Sequence, residues 1–453
     1  MKLLTSIRDF FSKFNAAGFD IWLVGGGVRH LLTGQPIVNP DFTTNATPEQ
    51  IQQLFPDSFY DNKFGTVGLK VDDQIYEITT YRTEGKYSDR RRPDQVAWGQ
   101  SLAEDLQRRD FTINAMVIGP DLKLIDHFGG QEDLAHKIIR AVGDPKKRFT
   151  EDALRMMRAV RIATQLEFTI EPHTLQAIKQ ASATITAVSW ERIRDELFKI
   201  LASSKPADGI TLLDDTDLLP YIIPELITTK NVPQGGHHIH DVWNHSLASL
   251  KFCPNPNPLV RLATLLHDIG KPSTLRHQGP RGVTFYGHEV VGARTVRQLA
   301  DRLRLSKKDK DKLITLVRWH MFTYAPHMTD AAIRRFIKRV SIANIPDMMS
   351  LRIGDRLGGG SSATSWRLRE LQDRIYDQLH QPLTVADLKV DGHDVMKELN
   401  IPPSPRVGQI LNQLFKAVIE DSSKNDRDYL LSRIRELNLS HTTNKGAAVK
   451  VEE

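Results

Sequence analysis

The chain of 453 residues has a single cysteine, Cys253, and it lacks any uncharged apolar run of about 18 residues. One cysteine cannot form an internal disulfide or a thiolate metal site, so any metal must bind His, Asp and Glu. The missing apolar run excludes a membrane-spanning helix, and the charged start MKLLTSIRDFFSKF is unlike a signal peptide. We therefore expect a cytoplasmic protein without a membrane partner.

The chain also has little excess of charge of either sign: it contains 61 Lys and Arg and 55 Asp and Glu, which gives a formal net charge of +6. This small basic excess points mildly to a polyanionic partner such as nucleic acid, but it serves solubility equally well. Hydrophobic residues make up 40% and charged residues 26%, which is typical of a soluble globular protein and excludes disordered and fibrous classes. The length predicts about three domains.

The periodicity of apolar residues changes near Lys137. Before it, the segments IWLVGG, TVGLKV, QIYEITTY and MVIG predict short strands beside an amphipathic helix at 3–14. After it, TEDALRMMRAVRIATQL and SWERIRDELFKILA each place apolar residues at helical spacing behind a Thr or Ser cap. The predicted fold class is an α+β head with a mixed sheet, followed by an all-α neck, body and tail.

Domain boundaries are predicted at segments rich in Pro, Gly and Ser, namely TTKNVPQGGHHIHD and RLGGGSSATS. Together with the change near Lys137 and the polar end SHTTNKGAAVKVEE, they divide the chain into a head at 1–137, a neck at 138–228, a histidine-rich helical domain at 229–357, a helical tail at 358–440 and a disordered end at 441–453.

Two features of the head can bind a nucleotide and a metal. Gly25-Gly26-Gly27-Val28-Arg29 follows an apolar strand and opens a helix, where free backbone N–H groups bind phosphate; such a turn also needs glycine for its backbone alone. Asp41 and Glu77 lie on adjacent predicted strands and can hold Mg²⁺. They can equally be solvated acids on a strand face.

Seven segments then occur in a recognisable order: GGGVRHLLTG, NPDFTTNATP, YEITTYRTEGKYSDRRRP, EDLQRRDFTINAM, LIDHFGGQEDL, RAVGDPKKRFTEDALRMMRAVR and SWERIRDEL. Together they resemble the bacterial type of the tRNA nucleotidyltransferase and poly(A) polymerase family over roughly residues 20–200. The resemblance implies a nucleotidyltransferase head joined to a helical neck.

The resemblance also implies roles for particular residues. Asp41 would be the catalytic metal ligand, helped by Asn39 and Glu77. The triphosphate and sugar would be held by Gly26, Arg29, Asp105, Arg108, Arg109, Asp110 and Asn114. The incoming base would be read by Asp152 and Arg155, while Arg158 and Arg161 continue that helix face toward the phosphates. The alternative for Asp152 and Arg155, three apart on a predicted helix, is an ordinary surface ion pair.

The chain departs from the family pattern at three acids. Asn39 stands where the family has the first Asp of a D-x-D, and His30 and Asn45 replace two further acids. An amide oxygen can still coordinate Mg²⁺, but the lost negative charge weakens metal binding and polarisation of the attacking hydroxyl. We expect a reduced rate of transfer.

The middle of the chain carries a second set of ligand types in order: His245, His267, Asp268, His288, His320 and Asp355. This order resembles the HD phosphohydrolase superfamily. Imidazoles and carboxylates from successive helices can hold one or two divalent transition metals, whose bound water becomes a hydroxide nucleophile near neutral pH, and Lys271 can steady a phosphate. In nucleotidyltransferase relatives, the resemblance implies either a 2′,3′-cyclic phosphatase or phosphodiesterase acting on RNA ends or a domain that only shapes the RNA-binding body. His237, His238 and His240 are predicted to be solvated loop residues.

Two further regions are candidates for RNA contact. Between Arg302 and Arg339 the sequence has eleven Lys and Arg against three Asp, which predicts either a phosphate-binding face or a solvated helical surface. The segment DLKVDGHDVMKELNIPPSPRVGQILNQLF resembles the carboxy-terminal part of the same family, which implies a body and tail that grip tRNA.

We therefore predict a template-independent tRNA nucleotidyltransferase that adds CCA, or part of it, from CTP and ATP with Mg²⁺, with no DNA partner. One alternative is an HD-type metal-dependent phosphohydrolase whose head binds nucleotide or RNA but is impaired by Asn39. Another is a non-catalytic tRNA-binding protein. The intact EDALR and RRDFTINA segments oppose both alternatives. Because enzymes that add CCA, CC, A or poly(A) share these motifs, the sequence leaves the added nucleotides open.

Overall fold

The computed structural model describes residues 5–60, 65–84, 96–98, 101–235, 240–277, 282–322 and 324–447. Its contacts divide the chain into two compact units. The first comprises Met1–Lys230 with Pro256–Pro258 and Leu299–Leu305, and the second comprises Asn231–Asn255, Leu259–Gln298 and Ser306–Glu453. Among the described helices, none combines the length and apolar character needed to cross a bilayer.

The first unit has strands and helices in its first part and is mostly helical after residue 140. Its strands are β1 Ile21–Val24, β2 Asp41–Thr44, β3 Phe59–Tyr60, β4 Thr66–Val71, β5 Gln74–Thr80, β6 Arg82–Glu84, β7 Val96–Trp98, β8 Met116–Ile118, β9 Leu124–Asp126, β10 Ile138–Ile139 and β11 Thr169–Ile170. Its helices are α1 Thr5–Ala16, α2 Gly26–Thr33, α3 Pro48–Leu54, α4 Leu102–Gln107, α5 Gly130–Ala135, α6 Pro145–Glu151, α7 Leu154–Leu166, α8 Pro172–Ala181, α9 Trp190–Leu201, α10 Pro206–Asp215, α11 Leu219–Ile222 and α12 Pro224–Ile227.

Seven of these strands form one mixed sheet in the order β3-β4-β5-β2-β1-β8-β9. Strands β2 and β5 are parallel and the other neighbouring pairs are antiparallel. One face packs against α1, where Phe10 contacts the rings of Phe42 and Tyr76. Because side chains alternate along a strand, the residues between these core positions, including Asp41 and Glu77, lie on the opposite face.

The neck differs from its prediction at one point. The single helix predicted for TEDALRMMRAVRIATQL is broken between α6 and α7, and Asp152 lies at the break with extended backbone, φ −144° and ψ 104°. The Asp152 carboxylate accepts a hydrogen bond from the Leu154 amide at 3.1 Å. Such a local bond competes with the helical hydrogen-bond ladder and favours a turn. The prediction that Asp152 and Arg155 are neighbours on one helix is therefore wrong.

The remaining elements are almost entirely helical. They are α13 Val242–Phe252, α14 Pro258–Leu266, α15 Lys271–Thr274, α16 His288–Arg302, α17 Lys307–Trp319, α18 Asp330–Val340, α19 Ile345–Gly358, α20 Trp366–Gln378, α21 Gly392–Leu399, α22 Pro405–Glu420 and α23 Arg427–Ala447, with the short strands β12 Arg276–His277 and β13 Val283–Thr284. The predicted fold class, an α+β head followed by helices, is confirmed. The predicted disordered end at 441–453 differs from the structure, because α23 continues to Ala447; an established helix gains one hydrogen bond for each added residue.

One arginine of the predicted basic face lies inside the protein. Arg334 on α18 is 5% exposed and donates to the carbonyl oxygens of Ile419 at 2.8 Å and Glu420 at 3.1 Å, and to Gln378 Oε1 at 2.7 Å. It thereby joins α18, α20 and the end of α22. The prediction that the cations from Arg302 to Arg339 share one accessible face is wrong at Arg334, because helical periodicity turns this side chain toward the core.

Candidate active site and metal centre

The turn between β1 and α2 brings a helix start beside the first candidate carboxylate. Gly25 has φ 65°, in the left-handed region that favours glycine. A Cβ built on Gly25 would lie 3.4 Å from Asp41 Oδ2, so β2 passes close to this turn. The first turn of α2, which carries Gly26 and Arg29, therefore begins next to Asp41, as a triphosphate site requires.

Asp41 and Glu77 are directly opposite each other on the parallel strands β2 and β5. Asp41 is half-buried and Glu77 is exposed. Burial and the Glu77 charge together raise the pKa of Asp41 to about 6, although Arg109, Arg29 and Arg158 act in the opposite direction. Two adjacent carboxylates of which one resists ionisation are suited to a divalent cation, which removes the repulsion between them.

Asn39 lies before β2 and is exposed, with φ 48°. Its amide oxygen accepts a hydrogen bond from the Ile75 backbone N–H at 3.1 Å, and its own N–H donates to Gln74 Oε1 at 3.2 Å. The side chain therefore ties the start of β2 to β5. Its role as a metal ligand stays a prediction.

The other two departures from the family pattern have separate environments. Asn45 Oδ1 accepts a hydrogen bond from the Asp20 backbone N–H at 2.8 Å, which fixes the end of β2. His30 on α2 is half-buried, and burial followed by the Arg29 charge lowers its pKa. His30 is therefore neutral at pH 7 and adds no negative charge where the family has an acid.

Asp105 is fully buried and organises two arginines. Its carboxylate accepts hydrogen bonds from Arg108 Nε at 3.0 Å, from Arg109 Nη2 at 3.0 Å and from the buried Thr43 hydroxyl at 3.1 Å. Burial opposes ionisation, but Arg109 and Arg108 outweigh it and lower the pKa of Asp105. The structure thus brings together three of the predicted residues. It adds Thr43, which was not among them and which stands two positions after Asp41 on the same strand face.

Asp110 links a second pair of arginines, contacting Arg158 directly and Arg29 through Asn114. Its Oδ2 accepts from Arg158 Nε at 2.8 Å, its Oδ1 accepts from Asn114 Nδ2 at 2.8 Å, and Asn114 Oδ1 accepts from Arg29. Burial alone would raise the pKa of Asp110, but Arg158 and Asn114 hold it well below its usual range. Within the described residues, Nε of Arg29 and Nε of Arg109 are buried without a hydrogen-bond partner. These unpaired donors suit an anionic ligand.

The two residues predicted to read the base have different partners from those expected. Arg155 is buried and donates to Glu151 Oε2 at 2.6 Å and to the Arg108 carbonyl at 2.8 Å. Asp152 instead pairs with Arg192 on α9, at 2.7 Å. Glu151 and Arg192 were not among the predicted residues; the i, i+4 spacing of Glu151 and Arg155 is the sequence signal for the first.

Arg161 also has a partner that the sequence analysis did not name. Its Nε donates to Glu196 Oε2 at 2.5 Å and its Nη1 donates to Gln165 Oε1 at 2.8 Å. Glu196 is buried. Arg161 therefore connects α7 to α9 and differs from Arg158, whose guanidinium meets Asp110.

The second unit gathers all six predicted ligands of the histidine-rich domain. His245 Nε2 lies 3.2 Å from His267 Nε2 and 3.2 Å from Asp355 Oδ1. Asp268 contacts the imidazoles of His267 at 3.2 Å and His288 at 3.3 Å. His320 Nε2 lies 3.3 Å from His288 Nε2. In the part of the chain that the structure describes, the sets whose ligand atoms lie within 4.8 Å of one another are His245, His267 and Asp355, and His267, Asp268 and His320.

Backbone carbonyls orient three of these imidazoles. The Nδ1 atoms of His267, His288 and His320 lie 2.7, 2.9 and 2.7 Å from the carbonyl oxygens of residues 264, 285 and 317. In the neutral imidazole, a proton on Nδ1 leaves a lone pair on Nε2. The lone pairs of His288 and His320 then face each other, an arrangement that a bound cation would stabilise. The residues present therefore fit a divalent metal.

The charges around this cluster agree with that fit. Burial alone would lower the pKa of His267, but Asp268 and Asp355 raise it to about 10, so the site favours added positive charge. Lys271 donates to Asp268 at 2.6 Å, and Lys271 and Arg352 line an adjoining cavity of about 680 Å³. His240 is exposed, and His237 and His238 lie outside the described residues.

Comparison with known proteins gives four family matches along the chain. A model of the poly(A) polymerase head domain matches residues 21–140, and one described as "Probable RNA and SrmB-binding site of polymerase A" matches 167–229. The HD domain matches 242–348, and tRNA nucleotidyltransferase domain 2 matches 364–434.

Relatives align over most of the chain. A CCA-adding enzyme of Enterococcus faecalis is 44% identical over 463 residues, covering 95% of this chain and 97% of that one. A CCA-adding enzyme of Pediococcus pentosaceus is 34% identical, covering 95% and 97%. An A-adding tRNA nucleotidyltransferase of Deinococcus radiodurans is 37% identical over 338 residues, covering 72% and 77%.

A solved structure of a CCA-adding enzyme is also similar over nearly the whole chain. The CCA-adding enzyme of Bacillus stearothermophilus in complex with CTP superposes with a TM-score of 0.72 at 27% identity, covering 98% of this chain and 100% of that one.

Proposed function

The chain belongs to the tRNA nucleotidyltransferase and poly(A) polymerase family of bacterial type, and we propose that it adds C, C and A, or part of that sequence, to tRNA 3′ ends from CTP and ATP. The observation that carries this proposal is the Asp41–Glu77 pair, set beside arginines whose charges reach Asp41. The alternative of an HD phosphohydrolase with an impaired head is not favoured, because relatives covering nearly the whole chain are CCA-adding enzymes.

The reaction joins the terminal 3′-oxygen of the RNA to the α-phosphorus of the nucleotide. The hydroxyl loses its proton, the bond between the α-phosphorus and the bridging oxygen breaks, and pyrophosphate leaves with that electron pair. Mg²⁺ held by Asp41 and Glu77 would supply polarisation of the hydroxyl and neutralisation of phosphate charge. Arg29, Arg109 and Arg158 neutralise the triphosphate, and Asp105 and Asp110 hold these arginines in place.

We propose that base selection rests with the break between α6 and α7 and with the first turn of α7. Asp152 and Arg155 remain our candidates, because a carboxylate acceptor and a guanidinium donor fork can address the Watson–Crick edges of C and A. Glu151 fixes Arg155 and Arg192 fixes Asp152. An exchange of these bonds for bonds to the base would select the nucleotide without a template.

The transfer proposal is tested by extension of three tRNA transcripts that end before CCA, after one C and after CC, with labelled CTP or ATP and Mg²⁺ or Mn²⁺. We expect base-specific addition that is lost in Asp41→Ala and kept in Asp57→Ala, an exposed acid of the same unit. The transcripts that are extended identify the added nucleotides. Binding of tRNA without addition under any metal would contradict the proposal.

For the second unit, we propose a divalent transition-metal centre at the HD cluster that hydrolyses phosphoesters. The support is the facing imidazole nitrogens of His288 and His320, with Lys271 and Arg352 at the adjoining cavity. Titration calorimetry of the full chain with Mn²⁺ or Ni²⁺ should show one binding event that Asp268→Ala abolishes and that Asp41→Ala retains. Equal binding by the Asp268 variant would contradict this proposal.

We further propose that the protein acts in the cytoplasm, where its tRNA substrate is processed. Localisation of the full chain by fractionation tests this, and recovery with the membrane fraction would contradict it.

A further inference from the structure

A row of four residues crosses the sheet at the level of the catalytic carboxylates. Asp41 is opposite Glu77, Glu77 is opposite Gly68 on β4, and Gly68 is opposite Phe59 on the edge strand β3. Residues directly opposite each other in a sheet point to the same face. Phe59 therefore lies on the face of Asp41 and Glu77, two strands from Glu77, or about 10 Å away.

The ring of Phe59 lies over Gly68. A Cβ built on Gly68 would be 2.3 Å from Phe59 Cζ, so the missing side chain at 68 provides the space that the ring occupies. Phe59 is nevertheless 49% exposed, because no described side chain of its own row covers its outer side. Among the described residues of β3, β4 and β5 on this face, it is the aromatic one.

The sheet order assigns this ring to one side of the reaction. Gly26 and Arg29 follow β1 and Asn114 precedes β8, so these three candidate nucleotide-binding residues lie on the β1 and β8 side of Asp41. Phe59 lies on the β5 and β4 side. In phosphoryl transfer the attacking and leaving oxygens are roughly in line, so the RNA hydroxyl must approach from the side opposite the pyrophosphate.

We propose that the Phe59 ring is the surface on which the 3′-terminal base of the acceptor RNA stacks. An exposed aromatic face binds any base through its π-face, which suits an acceptor end that changes from one base to another as nucleotides are added. This inference rests on the proposed transfer reaction. It assigns Phe59 to the RNA and leaves binding of the triphosphate to Arg29, Arg109 and Arg158.

The test compares Phe59→Ala with the matched variant Tyr60→Ala, which removes the neighbouring aromatic residue of β3 on the opposite face. We expect Phe59→Ala to lower kcat/KM for RNA about tenfold to hundredfold with an unchanged KM for ATP, and Phe59→Trp to restore it. With an RNA whose terminal nucleotide is abasic, wild type and Phe59→Ala should react equally. Equal rates of wild type and Phe59→Ala on ordinary RNA would overturn the proposal.

A binding measurement separates this proposal from the transfer proposal. An RNA with 2-aminopurine as its terminal base loses fluorescence when the base stacks, whether or not transfer follows. Wild type and Tyr60→Ala should quench it and Phe59→Ala should not. Quenching that survives in Phe59→Ala refutes the stacking role, whereas quenching by a wild type that never extends the RNA refutes the transfer reaction alone.

Discussion

Replacing Asp110 by Asn tests whether the buried charge pair of the head supports both folding and nucleotide binding. Asp110 is 8% exposed, and its Oδ2 accepts from Arg158 Nε at 2.8 Å and Nη2 at 2.6 Å. An Asn side chain keeps the acceptor that meets Asn114 and the Phe111 N–H. It turns an NH₂ group toward the guanidinium of Arg158, where two donors then face each other.

The magnitude follows from the burial of the two partners. Removing one partner of a fully buried ion pair costs about 3–5 kcal/mol. Because the Arg158 side chain is 37% exposed, water recovers part of its solvation, and we expect about 2 kcal/mol. For a unit of this size, about 2–4 °C of melting temperature corresponds to each kcal/mol, so the head should melt about 4–8 °C lower.

The assay is calorimetric melting of wild type, Asp110→Asn and Glu167→Gln. The control removes a charge from the pair of Glu167 with Lys205, whose side chains are both about half-exposed, so its melting temperature should change by about 1 °C or less. The KM for ATP should rise in Asp110→Asn alone, since Asn114 and Arg29 depend on Asp110. Melting of Asp110→Asn at the temperature of the control would refute this reasoning.

The same pair has a defined pH dependence. The pKa of Asp110 lies below its ordinary value, because Arg158 and Asn114 outweigh the effect of burial. Its stabilisation is therefore complete above the ordinary Asp pKa of about 3.9 and is lost as the pH falls below it. The difference in melting temperature between wild type and Asp110→Asn should stay constant from about pH 8 to pH 5 and become smaller below about pH 4.

Three further predictions concern metal binding and the tail. Asn39→Asp should raise Mg²⁺-dependent transfer about tenfold by restoring a negative charge, with unchanged melting; an unchanged rate would mean that this position is not a metal ligand. The pKa of Asp41 is raised from 3.8 to about 6, so ionisation of this carboxyl destabilises the metal-free head by up to about 3 kcal/mol above pH 6. Below the pKa of Asp in the unfolded chain, this effect is absent. In EDTA, the melting temperature of Asp41→Asn should exceed that of wild type at pH 7.5 and equal it near pH 4; equal melting temperatures at pH 7.5 would contradict this. Arg334→Met leaves two carbonyl oxygens at the end of α22 unpaired and should lower the free energy of unfolding by about 3 kcal/mol in denaturant unfolding. Arg335→Met loses only an exposed ion pair and should not lower it. An equal loss in both variants would argue against the stabilising role of the buried Arg334 bonds.

The strands around the carboxylates could be predicted because their side chains alternate. In β5, Tyr76 and Ile78 face the core while Glu77 is exposed. This alternation of apolar and polar residues is visible in the sequence and predicts that Glu77 lies on the face opposite the core. The parallel register with Asp41 depends on the order of strands in the sheet, which alternation does not encode.

The break between α6 and α7 could not be predicted from helical periodicity. Apolar residues continue at helical spacing through Asp152, but the carboxylate of this residue caps the Leu154 amide and pairs with Arg192, forty positions later. A contact of that sequence separation is decided by how α7 packs on α9. This tertiary contact overrides the local preference of the sequence for a continuous helix.

The histidine and aspartate cluster of the second unit shows how local bonds can contribute to a site built from distant parts of the chain. His267, His288 and His320 each meet the carbonyl oxygen three residues earlier in the chain. Each bond is formed within its own turn, so each imidazole presents Nε2 before the helices pack. Packing then has only to bring preoriented nitrogen atoms together. Asp268 lies within 3.6 Å of all four imidazoles through its Oδ1 and Oδ2 and supplies negative charge to the cluster. The residue order along the chain therefore predicted which side chains come together, whereas the distances between them are set by the packing of their helices.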